Sequence, residues 1–178
     1  MKSIKVIRKD ITQVEVDVIV NDTNNALRPS SPLDKAIHQA AGPELLSFCK
    51  NLFGCDTGQA VLTPGFQLPA PYLIHTVGPV WQGGTHHEEI HLRNCFKESL
   101  KLARALGLAS IAFPAIGCGS KGLSHSKVAE WSVETIHDYL EKHMDWDAEI
   151  YLCAHSGKME EQWESAIELF FTSTIAAV

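Results

Sequence analysis

The sequence predicts an α/β fold: a three-layer α/β/α sandwich around a central, mostly parallel, mixed six-stranded sheet. Three observations predict it. Short apolar runs alternate with longer amphipathic stretches; several of the short runs are continuously apolar; and no repeat, low-complexity tract or linker interrupts the 178 residues. Strand and helix in alternation imply crossover connections and parallel pairing. A strand apolar on both faces is one that helices cover on both sides. One domain over 1–178 is expected, because compact domains commonly run to about 100–200 residues.

The strand candidates are residues 4–8, 16–20, 60–63, 72–77, 110–116 and 150–154. VDVIV, YLIHTV and SIAFPAI are the continuous runs among them. Helical patterns fill the intervals: 32–41, resuming after Gly42-Pro43 to about 52, then 88–106, 126–143 and 159–171. In open parallel sheets ligands bind beyond the carboxyl ends of the strands, beside helix N-termini. The loops at 9–12, 21–34, 78–87 and 117–124 are therefore where a site is expected.

Composition is that of an ordinary globular chain, 45% hydrophobic and 20% charged. The formal net charge of −6 argues against strong nucleic-acid binding through a basic surface. An anionic ligand would have to be held by local donors against the overall field. Cys49, Cys55, Cys95, Cys118 and Cys153 are scattered, odd in number and free of any C-x-x-C pair, which points to reduced thiols and a cytoplasmic setting. The opening MKSIKVIRKD carries charges where a signal peptide needs an apolar stretch. No apolar run approaches the roughly 20 residues that span a bilayer, so no membrane partner is expected. The apolar tail after Phe171 is short and is expected to dock or fray.

Two familiar motifs compete for attention. His87-Glu88-Glu89-Ile90-His91 matches H-E-x-x-H, which on a helix sets two imidazoles for zinc with Glu88 as base. A third ligand is missing, since adjacent His86 points elsewhere on the helix, and the match falls in the first turn of an amphipathic helix. There Glu88 and Glu89 suit the helix dipole, so no metal is expected. Gly117-Cys118-Gly119-Ser120-Lys121-Gly122 matches G-x-G-x-x-G after a strand. The dinucleotide version opens a helix at once in the first βαβ unit and has an acid at a strand end about 20 residues on. Here the strand is late, the helix begins several residues further, and Asp138 lies mid-helix, so no dinucleotide cofactor is expected. Close approach of backbone N–H groups to an anion survives as the physical content of the loop.

Taken together, the segments Asp10-Ile11-Thr12, VDVIVN at 16–21 with Asn24 and Leu27, AIHQAAGPELL at 36–46, IHTVGPVW at 74–81 and IAFPAI at 111–116 resemble a macrodomain, and they cover most of the chain. The resemblance is to the branch that hydrolyses esters on the distal ribose of ADP-ribose. It implies ADP-ribose or an ADP-ribosylated protein as partner and no cofactor. It gives Asp10 and Ile11 to adenine, and Gly117, Cys118, Gly119, Ser120, Lys121 and Gly122 to the diphosphate. Asn21 joins the ligand loop, more as a brace than as a contact. Asn24 would orient the distal ribose, and Asp34 would position or deprotonate the attacking water. Read without the resemblance, Asp10 caps a turn, Asn24 stabilises one, Asp34 caps a helix, and His38 and His75 are satisfied scaffold histidines.

The chain departs from the branch in both loops. Where the hydrolases carry glycines around the matching Asp, it has Pro29-Ser30-Ser31-Pro32-Leu33-Asp34-Lys35. Proline offers no N–H, so at least two amide donors are lost, and Pro32 suggests a helix that begins early and draws Asp34 into its first turn. Two lost bonds to a charged group, each about 1.5–3 kcal/mol, would weaken binding about a hundredfold or more. In the second loop the usual aromatic is Lys121, which is expected to pair with a phosphate. The rewritten loop supports an alternative expectation, a binding module with little or no catalysis.

Overall fold

The computed structural model describes residues 3–172. Six strands form one sheet: β1 (Ser3–Ile7), β2 (Val18–Asp22), β3 (Ala60–Pro64), β4 (Tyr72–Thr76), β5 (Ser110–Phe113) and β6 (Glu149–Cys153). Their spatial order is β1-β6-β5-β2-β4-β3, parallel throughout except for β3, which runs antiparallel to β4 at one edge. Helices α1 (Pro32–Ala41), α2 (Pro43–Cys49), α3 (Glu88–Ala105), α4 (His125–Lys142) and α5 (Gly157–Thr172) cover it. The apolar tail beyond Thr172 lies outside the described residues.

The two faces divide the core as a period-two strand requires. Val18, Val20, Ile111, Phe113, Ile150 and Leu152 point to the side of α3, α4 and α5. Ile19, Leu73 and Ala112 point to the side of α1 and α2, where Ile37 and Leu45 meet them. This is the three-layer arrangement that the continuous apolar runs imply.

Element ends follow local chemistry. Ser31 caps α1 by accepting the Asp34 N–H at 3.2 Å, Pro32 occupies the first helical position, and Gly42 breaks the helix at φ +89°. Strand β2 begins and ends two residues later than the apolar run. Asp17 is diverted to hold the Ala109 and Ser110 N–H groups, at 2.7 and 3.1 Å, while Asn21 and Asp22 extend the pairing with His75 and Thr76. Strand β5 stops before Pro114, which has no N–H to give the ladder. Lys50 caps α2 and turns close at 51 and 52, so that helix is shorter than its pattern. Among the described residues no helix is long and apolar enough to cross a membrane.

The chain leaves β2 toward β4 and β3, and leaves β5 toward β6 and β1's side of the sheet. The strand order thus diverges between β2 and β5, which is where a crevice opens at the carboxyl ends of the strands.

Candidate functional site

A cavity of about 650 Å3 occupies that crevice, within the range of small-molecule sites. It is lined by residues following β1 (Arg8 to Ile11), β2 (Asp22 to Asn24), β5 (Pro114, Ala115, and Cys118 to Lys121) and β6 (Cys153 to His155), with residues 30–33 closing one side. Asp10, Ile11, Asn24, Cys118, Gly119, Ser120 and Lys121 are thereby brought together as the sequence suggests. Gly117 and Gly122 frame the loop without lining the cavity.

The loop at 117–122 is shaped by two glycines at φ +83°, Gly117 and Gly122, and a Cβ at Gly117 would crowd the Leu123 side chain at 3.2 Å. Its closing bonds run from Gly122 N–H to the Gly119 carbonyl and from Leu123 N–H to the Gly117 carbonyl. The Trp81 N–H donates to the Lys121 carbonyl at 2.7 Å and braces the loop from β4's side. Among the described residues, no group accepts from the N–H of Gly119, Ser120 or Lys121. Gly119 differs from its neighbours: its φ is not in the left-handed region, and a Cβ there would meet no atom within 4 Å.

Asp22, at the end of β2, organises the cavity floor. Its carboxylate accepts from the N–H groups of Gly78 at 3.0 Å and Gly117 at 2.9 Å, tying the ends of β4 and β5 to β2. The Lys121 ammonium completes the set at 2.5 Å from Asp22 and 2.6 Å from the Thr23 carbonyl. Lys121 is therefore turned inward onto a carboxylate instead of standing free for a phosphate. Burial, with Asp22 nearby, pushes the Cys118 thiol up to about 12, which suits packing and leaves no thiolate nucleophile at neutral pH.

Asp10 serves its local turn with one oxygen only, accepting from Thr12 N–H at 3.0 Å and Thr12 Oγ1 at 2.7 Å, both through Oδ1. The turn-capping reading of this residue is thus met, and its second oxygen, which accepts no hydrogen bond among the described residues, belongs to a carboxylate that lines the cavity.

The loop after β2 is tightly self-bonded. Asn24 donates from Nδ2 to the Arg28 carbonyl at 2.7 Å and to Ser30 Oγ at 2.9 Å, and its Oδ1 accepts from the Ala26 and Arg28 N–H groups. These bonds hold buried Leu27 at φ +57°, an uncommon conformation for a branched side chain. Asp34 does not line the cavity. It is fully buried, accepting from Asn21 Nδ2 at 2.9 Å and Thr23 Oγ1 at 2.7 Å, with His38 Nε2 3.5 Å away. The physical reason is the early helix start at Pro32, which turns position 34 toward the sheet. Asn21 is wholly buried and does not line the cavity: it acts as the brace expected of it, donating to Asp34 from behind, and not as a ligand contact.

The two histidines differ. His75 faces Asn21 Nδ2 at 3.3 Å and Thr63 Oγ1 at 3.0 Å, so its Nδ1 accepts and its Nε2–H donates. Burial, helped by His38, drops its pKa to about 3 and keeps it neutral. His38 is less satisfied than expected: its buried Nδ1 has no hydrogen-bond partner among the described residues. Burial lowers its pKa against the pull of Asp34.

The H-E-x-x-H segment has a structural use. Glu88 is buried and accepts from the N–H groups of Gln82, Gly84 and His86, pinning residues 82–86 to the start of α3. Burial pushes its carboxyl upward, but these backbone donors outweigh it and hold the pKa below the usual value. A carboxylate so committed is no general base, and His87 sits outside the helix in left-handed conformation at φ +59°.

Comparison with known proteins agrees with this geometry. The macro domain family model matches residues 20–131. The chain belongs to the macrodomain family. It is 49% identical over 148 residues to the O-acetyl-ADP-ribose deacetylase of Escherichia fergusonii, covering 80% of this chain and 84% of that one. It is 46% identical over 144 residues to human ADP-ribose glycohydrolase MACROD2, covering 79% of this chain and 33% of the larger protein. The solved macrodomain of Oceanobacillus iheyensis with ADP superposes at a TM-score of 0.91, with 31% identity, over 96% of this chain and 92% of that one.

Within this macrodomain, sequence reading missed Asp22, Thr23 and the stretch from Cys153 to His155. Asp22 reads as one residue of the loop at 21–34, and nothing local distinguishes it from a solvated turn residue. The β6 residues carry one available signal, their position at the carboxyl end of a strand whose neighbour in the sheet is β1.

Proposed function

We propose that this macrodomain binds ADP-ribose in the cavity between β2 and β5 and hydrolyses esters on its distal ribose, either O-acetyl-ADP-ribose or mono-ADP-ribose on Asp and Glu side chains. The observation that carries binding is Gly119. Neither its φ nor its surroundings require glycine. Close approach of a ligand to the adjoining N–H groups does require it. The names of the relatives, a deacetylase and an ADP-ribose glycohydrolase, support the same ligand and the hydrolytic class.

In this reading the diphosphate lies on the N–H groups of Gly119, Ser120 and Lys121, and adenine lies against Asp10 and Ile11. The distal ribose enters beside Asn24, whose amide exchanges its bonds to Arg28 and Ser30 for ribose hydroxyls. Water adds to the ester carbonyl, the acyl C–O bond breaks, and the ribose oxygen leaves as the hydroxyl. Asp34 acts on this water through Thr23, which lines the cavity and donates to it. Asp34 is thus a positioning residue here, and Thr23 is the group that meets the reacting water.

A second reading, a binder with little turnover, has its own support: every polar atom of the Asn24 side chain is already engaged within its loop. Turnover of O-acetyl-ADP-ribose and of a mono-ADP-ribosylated glutamate peptide separates the two. Activity above background in the wild type and lost in Asp34→Ala supports the enzyme; equal background rates leave only the binder. The free thiols support a reducing, cytoplasmic setting, which forms part of the same proposal.

A further inference from the structure

We propose that the rim of the cavity beside β1 and β6 is a second anion subsite, formed by Arg8, His125, His155 and Lys158, which takes a phosphate carried on the adenosine ribose of the ligand. The proposal rests on the ADP-ribose reading, because it uses adenine at Asp10 to bring the adenosine ribose toward this rim.

Arg8 and His155 line the cavity itself. The His155 ring lies 5.5 Å from that of His125, joining the end of β6 to the start of α4. The Arg8 guanidinium passes over Gly157 at the start of α5, with Nη1 3.4 Å from where a Cβ would stand. Lys158 is exposed in the same first turn. Burial first, then Lys158 and His155, depress the His125 pKa, so these groups share one local field.

Three features mark the cluster as awaiting a counter-charge. It gathers a guanidinium, an ammonium and two imidazoles on a chain of net charge −6. Glu160 pairs with Arg8 alone, at 3.3 Å and with the Arg8 side chain half exposed to solvent; among the described residues no carboxylate pairs with His125, His155 or Lys158. Lys158 also occupies the first turn of α5, where the backbone's own positive end disfavours a cation. Such local conflict, unrelieved within the fold, is characteristic of functional surface. A phosphomonoester, with a charge of about −1.5 to −2 at neutral pH, relieves all three conflicts at once.

Calorimetry at low ionic strength, comparing ADP-ribose with ADP-ribose 2′-phosphate and with a 2′-linked ADP-ribose dimer, tests this. The expected result is about tenfold tighter binding of the 2′-phosphate, fading as salt is added. In the His125→Ala/Lys158→Ala double variant the advantage should shrink to about twofold or less, with ADP-ribose affinity unchanged. Lys158→Gln alone, at an exposed position, should remove part of the advantage with no change in melting temperature. Equal affinity of the two mononucleotides overturns the subsite, as does an advantage that survives the double variant. A gain for the dimer alone overturns the phosphomonoester assignment. Failure of ADP-ribose itself to bind is a distinct outcome, which overturns the proposed function and this inference with it.

Discussion

Asp34 is the residue on which stability and chemistry can be separated most cleanly. Its carboxylate accepts from Asn21 and Thr23 at full burial. Each bond to a charged group contributes about 1.5–3 kcal/mol, so Asp34→Ala should cost about 3–6 kcal/mol. That is a large part of the total stability of a domain, about 5–15 kcal/mol. At about 2–4 °C per kcal/mol for a chain of this size, the melting temperature should fall by about 6–24 °C. Asp34→Asn keeps the shape but accepts from one partner only, and should cost about half as much. Thermal unfolding of both variants and of Thr23→Val gives a double-mutant cycle, with an expected coupling of about 1–2 kcal/mol between positions 23 and 34. Kinetics well below the lowest melting temperature then test the chemistry. If Asp34 acts through Thr23, kcat should fall at least about tenfold in both Asp34→Asn and Thr23→Val, with KM changed much less. A melting temperature for Asp34→Ala within about 2 °C of wild type would refute the buried network. An unchanged kcat in Thr23→Val would refute the relay.

Gly119→Val should leave the melting temperature unchanged, since a side chain there meets open space, yet reduce ADP-ribose affinity at least about tenfold in calorimetry; unaltered affinity would remove the ligand from this loop. His75, with its pKa lowered to about 3 from the ordinary imidazole value of about 6.5, binds a proton more readily in the unfolded chain, so folding stability should be fully present above about pH 6.5 and fall as pH drops toward 3. Urea unfolding should show a slope of up to about 1.4 kcal/mol per pH unit from this group, missing from His75→Gln. Replacing the stretch from Pro29 to Pro32 with glycines should raise turnover by restoring amide donors; unchanged turnover would mean the native loop already works. Metal analysis of protein purified without a His-tag should find no stoichiometric zinc, and Glu88→Ala should instead speed hydrogen exchange at Gln82, Gly84 and His86, whose N–H groups it anchors.

The layers of this fold were legible because both covering faces impose apolar runs on the strands, and each of the six runs became a strand. Their ends were harder to read where a polar side chain substitutes for the ladder, as Asp17 does before β2, or where Pro114 cuts β5 short. The site was legible where a residue type is unusual in its place, as with the glycines at 117–122. It was least legible where function depends on direction. Nothing local in Asp34 says that a cap one turn earlier rotates its carboxylate to the sheet. Lys121 likewise reads as a free cation until Asp22, 99 residues away in sequence, is seen beneath it. The rim at Arg8, His125, His155 and Lys158 draws on three separate segments, so no sequence window contains it.

The most direct measurement is titration of the purified protein with ADP-ribose in a calorimeter. Saturable one-to-one binding, with Kd below about 100 μM and weakened by Gly119→Val, is the expected result. Absence of heat up to about millimolar ADP-ribose would contradict ligand binding in this cavity, and with it the hydrolysis proposed there.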